Sequence, residues 1–175
     1  MNPSNRGYVL IMLAIVVLAL AIGLMVAVPV WHTQVQREKE EELIFRGKQY
    51  IEAIRLYQTK FPGRFPESLD ALIKENCIRK LFKDPMTRSG SWNLILHREG
   101  GAAKGGTVQK ILIAPLSALS SLTSPQILGV VSPSRQKSIR IYYDQDSYDK
   151  WLFYYGQDLK AMPDIMIFGE EKKSL

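Results

Sequence analysis

The stretch "RGYVLIMLAIVV", residues 6–17, decides how the rest of the chain is read. One arginine and one glycine stand directly before a long apolar run. Between Arg6 and Arg37 there is no Lys, Arg, Asp or Glu, and residues 8–31 are almost wholly apolar. At about 1.5 Å per helical residue, roughly 20 residues cross the hydrocarbon core of a bilayer, so this run is long enough to span one. A secretory signal has an apolar stretch of only about 7–15 residues before its cleavage site. Here the run is much longer and ends in "AVPVWHTQ". Two arrangements remain open: an anchor kept whole, or a leader removed on the cytoplasmic side, before the apolar run. Both hold Arg6 inside and put the larger domain outside, because positive charge beside a span stays in the cytoplasm.

Beyond the span the chain turns charged but periodic. Leu43, Gly47, Tyr50, Ile54, Tyr57 and Phe61 recur at alternating spacings of four and three, with Ile44 and Ile51 beside them. That is one apolar stripe on a helix. Residues 33–42 carry little apolar surface, which predicts a segment that projects from the membrane and packs late, against neighbouring subunits or not at all. The "EKEEE" run at 38–42 reads as a solvated face. Pro29 lacks an amide hydrogen and should kink the helix near the outer boundary of the membrane.

Pro62 and Gly63 stop this helix. Pro66 suits the first turn of a second, short one whose Leu69, Leu72 and Ile73 form an apolar face. In "KDPMTRSGSWNLIL", Asp84 and Pro85 favour a turn, with Asp84 bonding its own backbone, and Trp92, Leu94 and Leu96 alternate on one face of a strand. Residues 97–125 read as a small, polar, Gly- and Ser-rich loop or insertion. Its "GGAAKGG" is not a phosphate loop, since no Ser or Thr follows the Lys. "QILGVVSPS", "KSIRIYY" and "YDKWLFYYG", the last through Trp151, Phe153 and Tyr155, read as further strands. An α+β domain follows, with a small antiparallel sheet covering the outer half of the long helix.

Composition narrows the chemistry. The net charge of +6 comes from basic residues scattered among acidic ones, without the basic stripe of a nucleic-acid binder. The single cysteine, Cys77, excludes an internal disulfide and reads as a small buried residue. His32 and His97 have no ligand-spaced partner, and a histidine-based triad for an anchored hydrolase has little support. Asp144, Asp146 and Asp149 in "DQDSYD" read either as a polar turn between strands or as oxygen ligands for calcium.

Gly7, with Arg6 before it and an apolar helix from Tyr8, resembles the processing site of type IV pilins and of the pseudopilins of type II secretion systems. Leu10 and Ile11 stand where that family usually has Leu and Ile, and Pro29 falls at the proline that commonly kinks its N-terminal helix. Tyr57, Gly63, Arg64, Phe65, Pro66, Leu69 and Leu72 carry a second match. They resemble the pseudopilin segment in which a Tyr-rich turn, Gly-Arg-Phe-Pro and a short helix follow the spine. The Asp84-Pro85…Gly90…Trp92 segment is similar to the one that opens the family's sheet, and the overall resemblance is closest to the major pseudopilins of type II secretion.

The resemblance implies a pilin-like α+β fold with a leader at 1–7, a transmembrane helix at 8–31, a periplasmic amphipathic spine at 32–61 and a globular domain at 62–175. It implies cleavage after Gly7 by prepilin peptidase, methylation of Tyr8, and assembly through the helix bearing Leu10, Ile11, Met12 and Pro29. Its implied partners are that peptidase, an inner-membrane assembly platform, copies of itself and other pseudopilins, and the lipid bilayer. The implied location is the bacterial inner membrane, single-pass, with the C-terminal domain in the periplasm. Major pseudopilins also hold calcium in a C-terminal loop. Motor proteins supply the work, so no enzymatic activity is expected of this chain. One departure stands out: Met12 occupies the fifth mature position, where the family carries a glutamate thought to pair with a neighbour's N-terminal amine. An ion in lipid needs such a partner, and Met12 cannot provide one. That departure puts the role of major, repeating subunit in doubt. The alternative reading is an uncleaved, membrane-anchored periplasmic binding module.

Overall fold

The computed structural model describes residues 4–97, 110–122, 124–157 and 163–169. The first helix, α1 (Ser4–Lys60), is a single 57-residue element, and its backbone runs through Pro29 without ending there. The chain divides into two units within this helix, residues 1–38 and 39–175.

The first unit is helix alone from Ser4 onward. Residues Gly7–Met25 have a mean hydropathy of 2.9, and none of this stretch is buried. It is one helix long and apolar enough to cross a membrane, at about 28 Å for its 19 residues.

The second unit is a compact α+β domain. The stripe predicted on α1 is the face it buries: Leu43, Tyr50 and Ile54 are fully enclosed. The helix ends at Lys60, and the chain reverses through Gly63, whose φ of +78° is easy for glycine and strained for other residues. The second helix, α2 (Leu69–Lys74), begins later than Pro66. Ser68 caps it, its Oγ accepting from the Ala71 amide at 3.2 Å, while the Pro66 carbonyl accepts from the Ile127 amide instead. Leu69 and Leu72 are buried as expected, whereas Ile73 is 38% exposed.

Five strands form an open sheet in the order β6-β3-β1-β2-β7, from β1 (Asn93–His97), β2 (Lys110–Pro115), β3 (Ile127–Val131), β6 (Phe153–Tyr154) and β7 (Asp164–Ile167). β4 (Lys137–Tyr142) and β5 (Gln145–Ser147) make a separate hairpin. The sheet is not wholly antiparallel, because β7 pairs parallel with β2. β6 and β7 lie at opposite edges, so the chain crosses the sheet between them, and a crossover delivers a parallel neighbour where a hairpin cannot. β2 and the 3-10 turn Leu116–Ser121 correct the reading of 97–125 as loop. "KILIAP" is apolar enough for a central strand, but its Gly- and Ser-rich neighbours masked it. The Gly-rich stretch at 98–109 lies outside the described residues. Trp151 precedes β6 and Tyr155 follows it in a turn, so the strand expected through all three aromatics is only two residues long.

Both faces of β1 are buried. Leu94 and Leu96 join α1, α2, Trp92 and Phe153 in the main core, and Ile95 joins Ile113, Leu128 and Tyr154 in a smaller cluster on the other face. Gly47 is where α1 meets β6: a Cβ there would lie 2.3–2.6 Å from ring atoms of Phe153. No side chain fits between them.

Candidate functional site

The predicted processing and assembly residues lie along the apolar half of α1. Tyr8, Leu10, Ile11 and Met12 are each more than half exposed among the described residues. Gly7 is helical, and a Cβ there would meet no atom within 4 Å. Glycine costs a helix roughly 1 kcal/mol relative to alanine, so the fold places no demand for glycine at this position, nor at the equally open Gly23. The contrast with Gly47 is direct. Residues 1–3 of the expected leader lie outside the described residues, and of Pro29 only the helical backbone is described.

The three aspartates proposed for calcium are placed by turn chemistry. Tyr143 and Asp144 have φ of +48° and +59°, and Tyr142 pairs with Gln145 across them. Two consecutive left-handed residues are the signature of the two-residue turn that matches strand twist in a hairpin. Asp146 sits on exposed β5, 4.0 Å from Lys137 Nζ. Asp149 lies in the 3-10 turn Tyr148–Lys150, with a buried Oδ1 that has no hydrogen-bond partner. No three His, Cys, Asp or Glu side chains come together as a metal-holding group among the described residues. Calcium needs several convergent oxygens, and these carboxylates do not supply that set.

The arrangement that sequence reasoning missed is centred on Glu40. It lies in the "EKEEE" run read as solvated, yet it is fully buried. Its Oε1 accepts from the Ile139 amide at 2.7 Å and from the Tyr148 hydroxyl at 2.7 Å, while Oε2 accepts from the Arg140 amide at 3.2 Å. Next to it the Arg140 guanidinium pairs with Glu41. An ionised carboxylate inside a protein is costly unless its lone pairs are met, and here three donors meet them. The chemistry is structural: the carboxylate fastens the β4–β5 hairpin to α1 over a separation of about 100 residues. Within the segment 33–42, Glu40 and Glu41 at least pack within the chain itself. The signal was present in the spacing. Glu40 precedes Leu43 by three and Gly47 by seven, so it continues the apolar stripe, where a carboxylate needs partners.

Two further buried groups hold the segment after α2. The Tyr50 hydroxyl donates to the Phe82 carbonyl and accepts from the Phe82 amide, both at 2.9 Å, and Trp92 Nε1 donates to the same carbonyl at 2.8 Å. Burial pushes the Tyr50 phenol up to about 12. Asp84 accepts from the Met86 amide at 2.8 Å, the turn bond its sequence predicted, and from Ser132 Oγ at 2.7 Å. Burial raises its carboxyl above the ordinary range, with the two hydrogen bonds opposing that rise.

A groove of about 690 Å³ lies between α1 and the segment following α2, lined by Gln49, Glu52, Leu56, Ile73, Cys77 and Arg79 among others. Cys77 is buried, as its apolar surroundings predicted, and burial pushes its thiol up. That is the opposite of activation.

No protein-family model matches this chain, and it has no match among curated proteins or solved structures. The geometry therefore stands by itself: a membrane-anchorable N-terminal helix fused to a compact β-sheet domain.

Proposed function

We propose that this chain is a structural subunit of a type II secretion pseudopilus or a type IV pilus-like filament. Prepilin peptidase cuts after Gly7, Tyr8 becomes the methylated N-terminus, and the helix at 8–31 serves first as an inner-membrane anchor and then as filament core. The spine at 32–61 and the globular domain at 62–175 stand in the periplasm, and the chain performs no catalysis. Its partners are the peptidase, the assembly platform, other pseudopilins and further copies of itself.

One observation carries the reading: a single helix holds an uncovered apolar length and, in continuous sequence, the central stripe of a folded domain. Sheathing that length in lipid, or against identical helices, answers the same hydrophobic demand. The register of Gly7, Leu10 and Ile11 supplies the rest. The second reading, an uncleaved anchored binding module, is favoured by Met12, which lacks the family's assembly carboxylate, and by the groove beside α1.

Intact-mass analysis of protein from membranes of a host with its own prepilin peptidase tests the choice. We expect a species starting at methylated Tyr8, absent from Gly7→Ala. A chain that keeps its first seven residues in both proteins refutes processing and leaves the anchored module.

A further inference from the structure

The β4–β5 hairpin has two unlike faces. Inward, Tyr142 packs against Trp151 and Phe153, Arg140 pairs with Glu41, and the Ile139 and Arg140 amides bond Glu40. Exposed on the hairpin are Ile139 and Ile141, at alternate positions of β4, and Tyr143 in the turn that follows, its ring 4.3 Å from that of Tyr142. They are 39%, 74% and 44% exposed. The hairpin has only two strands, and no third covers it among the described residues. A row of exposed apolar groups on so small an element calls for something to cover it.

We propose that this outer face rests on the lipid bilayer, at the boundary between headgroups and acyl chains. The argument is one of tethering. Glu40 grips the Ile139 and Arg140 amides, and it stands nine residues after Trp31, the last residue of the apolar run. Nine residues reach at most about 32 Å even when fully extended, so the Glu40 backbone, and with it the gripped part of the hairpin, stays near the membrane boundary however the two units are arranged. Tyrosine suits the interface because its ring is apolar and its hydroxyl wet. Arg135 and Lys137 flank the row and are exposed, which suits anionic headgroups. Asp144 and Asp146 at the tip and on β5 oppose deep insertion, so the contact is shallow. The same surface patch would then be released when the chain leaves the membrane. This inference rests on the membrane-spanning reading of α1 and is independent of filament assembly.

Site-directed fluorescence on the full chain tests it. Ile141→Cys and Tyr143→Cys, each in a Cys77→Ala background, would carry an environment-sensitive label in phosphatidylethanolamine–phosphatidylglycerol vesicles. Leu18→Cys reports the span and Arg88→Cys the exposed surface of the domain. Near-ultraviolet circular dichroism of each labelled protein checks the fold. We expect brominated acyl chains to quench the labels at 141 and 143 as well as at 18, but not at 88, at a depth within about 5–10 Å of the headgroup–acyl boundary. Quenching at 18 with a water-exposed label at 141 and 143 would overturn the hairpin contact and leave the span intact. Labels at 141 and 143 that are shielded without quenching, and become exposed as protein is diluted in lipid, would overturn it in favour of contact between copies. Absence of quenching at 18 would overturn the span and the inference together.

Discussion

Replacing Glu40 by alanine should loosen the hairpin from α1. The carboxylate meets two backbone amides and one buried hydroxyl, and a hydrogen bond to a charged group contributes about 1.5–3 kcal/mol. Three bonds sharing one acceptor do not add, and the exposed edge of β4 lets water reach freed amides, so the expected loss is about 3 kcal/mol. Read by urea unfolding in detergent micelles, that lowers the midpoint by about 1.5 M. Glu40→Gln keeps one oxygen but places an NH₂ group against a donor, and should lose about 1 kcal/mol. Glu41→Ala breaks only an exposed pair with Arg140, and such pairs contribute little. Hydrogen exchange supplies the local readout: the Ile139 and Arg140 amides should exchange faster in Glu40→Ala, ahead of those in β1. An unchanged midpoint together with unchanged exchange at 139 and 140 would refute the idea that this carboxylate holds the hairpin.

Gly47→Ala should destabilise the domain by about 1–3 kcal/mol despite its better helix propensity, because its Cβ collides with the Phe153 ring; thermal or urea unfolding reads it. Asp84 gives a pH dependence with a definite sign. Its folded-state pKa lies above the ordinary value of 3.8, so its contribution to stability is greatest below that value and is lost as pH rises through the raised one. Asp84→Asn keeps an acceptor for the Met86 amide and should remove that slope while changing stability at neutral pH by no more than about 1 kcal/mol. Urea unfolding of both proteins across pH 3–7 checks the sign.

How much of this was legible depended on how local the deciding signal was. The stripe on α1 and the alternation of Trp92, Leu94 and Leu96 are short-range periodicities, and the structure places each on the expected face. β2 was hidden because a six-residue apolar run between Gly- and Ser-rich flanks has no period of its own to distinguish strand from loop. The parallel placement of β7 depends on which sheet edge is vacant, a property of the whole fold. Asp84 was readable because its main partner is two residues away. The partners of Glu40 are about 100 residues away, and a charge run read locally conceals the one member that lies on the buried stripe.

Glu40 and Met12 together describe how one helix serves two solvents. In the domain half, an acid sits on the buried stripe because three donors from a distant hairpin satisfy it. In the apolar half the chain has no acid or base at all, and any ionised group there would need a partner from outside the chain. With Met12 in the series, the surface from Gly7 to Met25 is shape and apolar area only. Association through it would draw on packing of side chains such as Leu10, Ile11 and Met12, without a charge pair to fix the register between neighbours. Register would then have to come from the folded domain. The groove beside α1 and the hairpin held by Glu40 are features of the described domain through which it could be set.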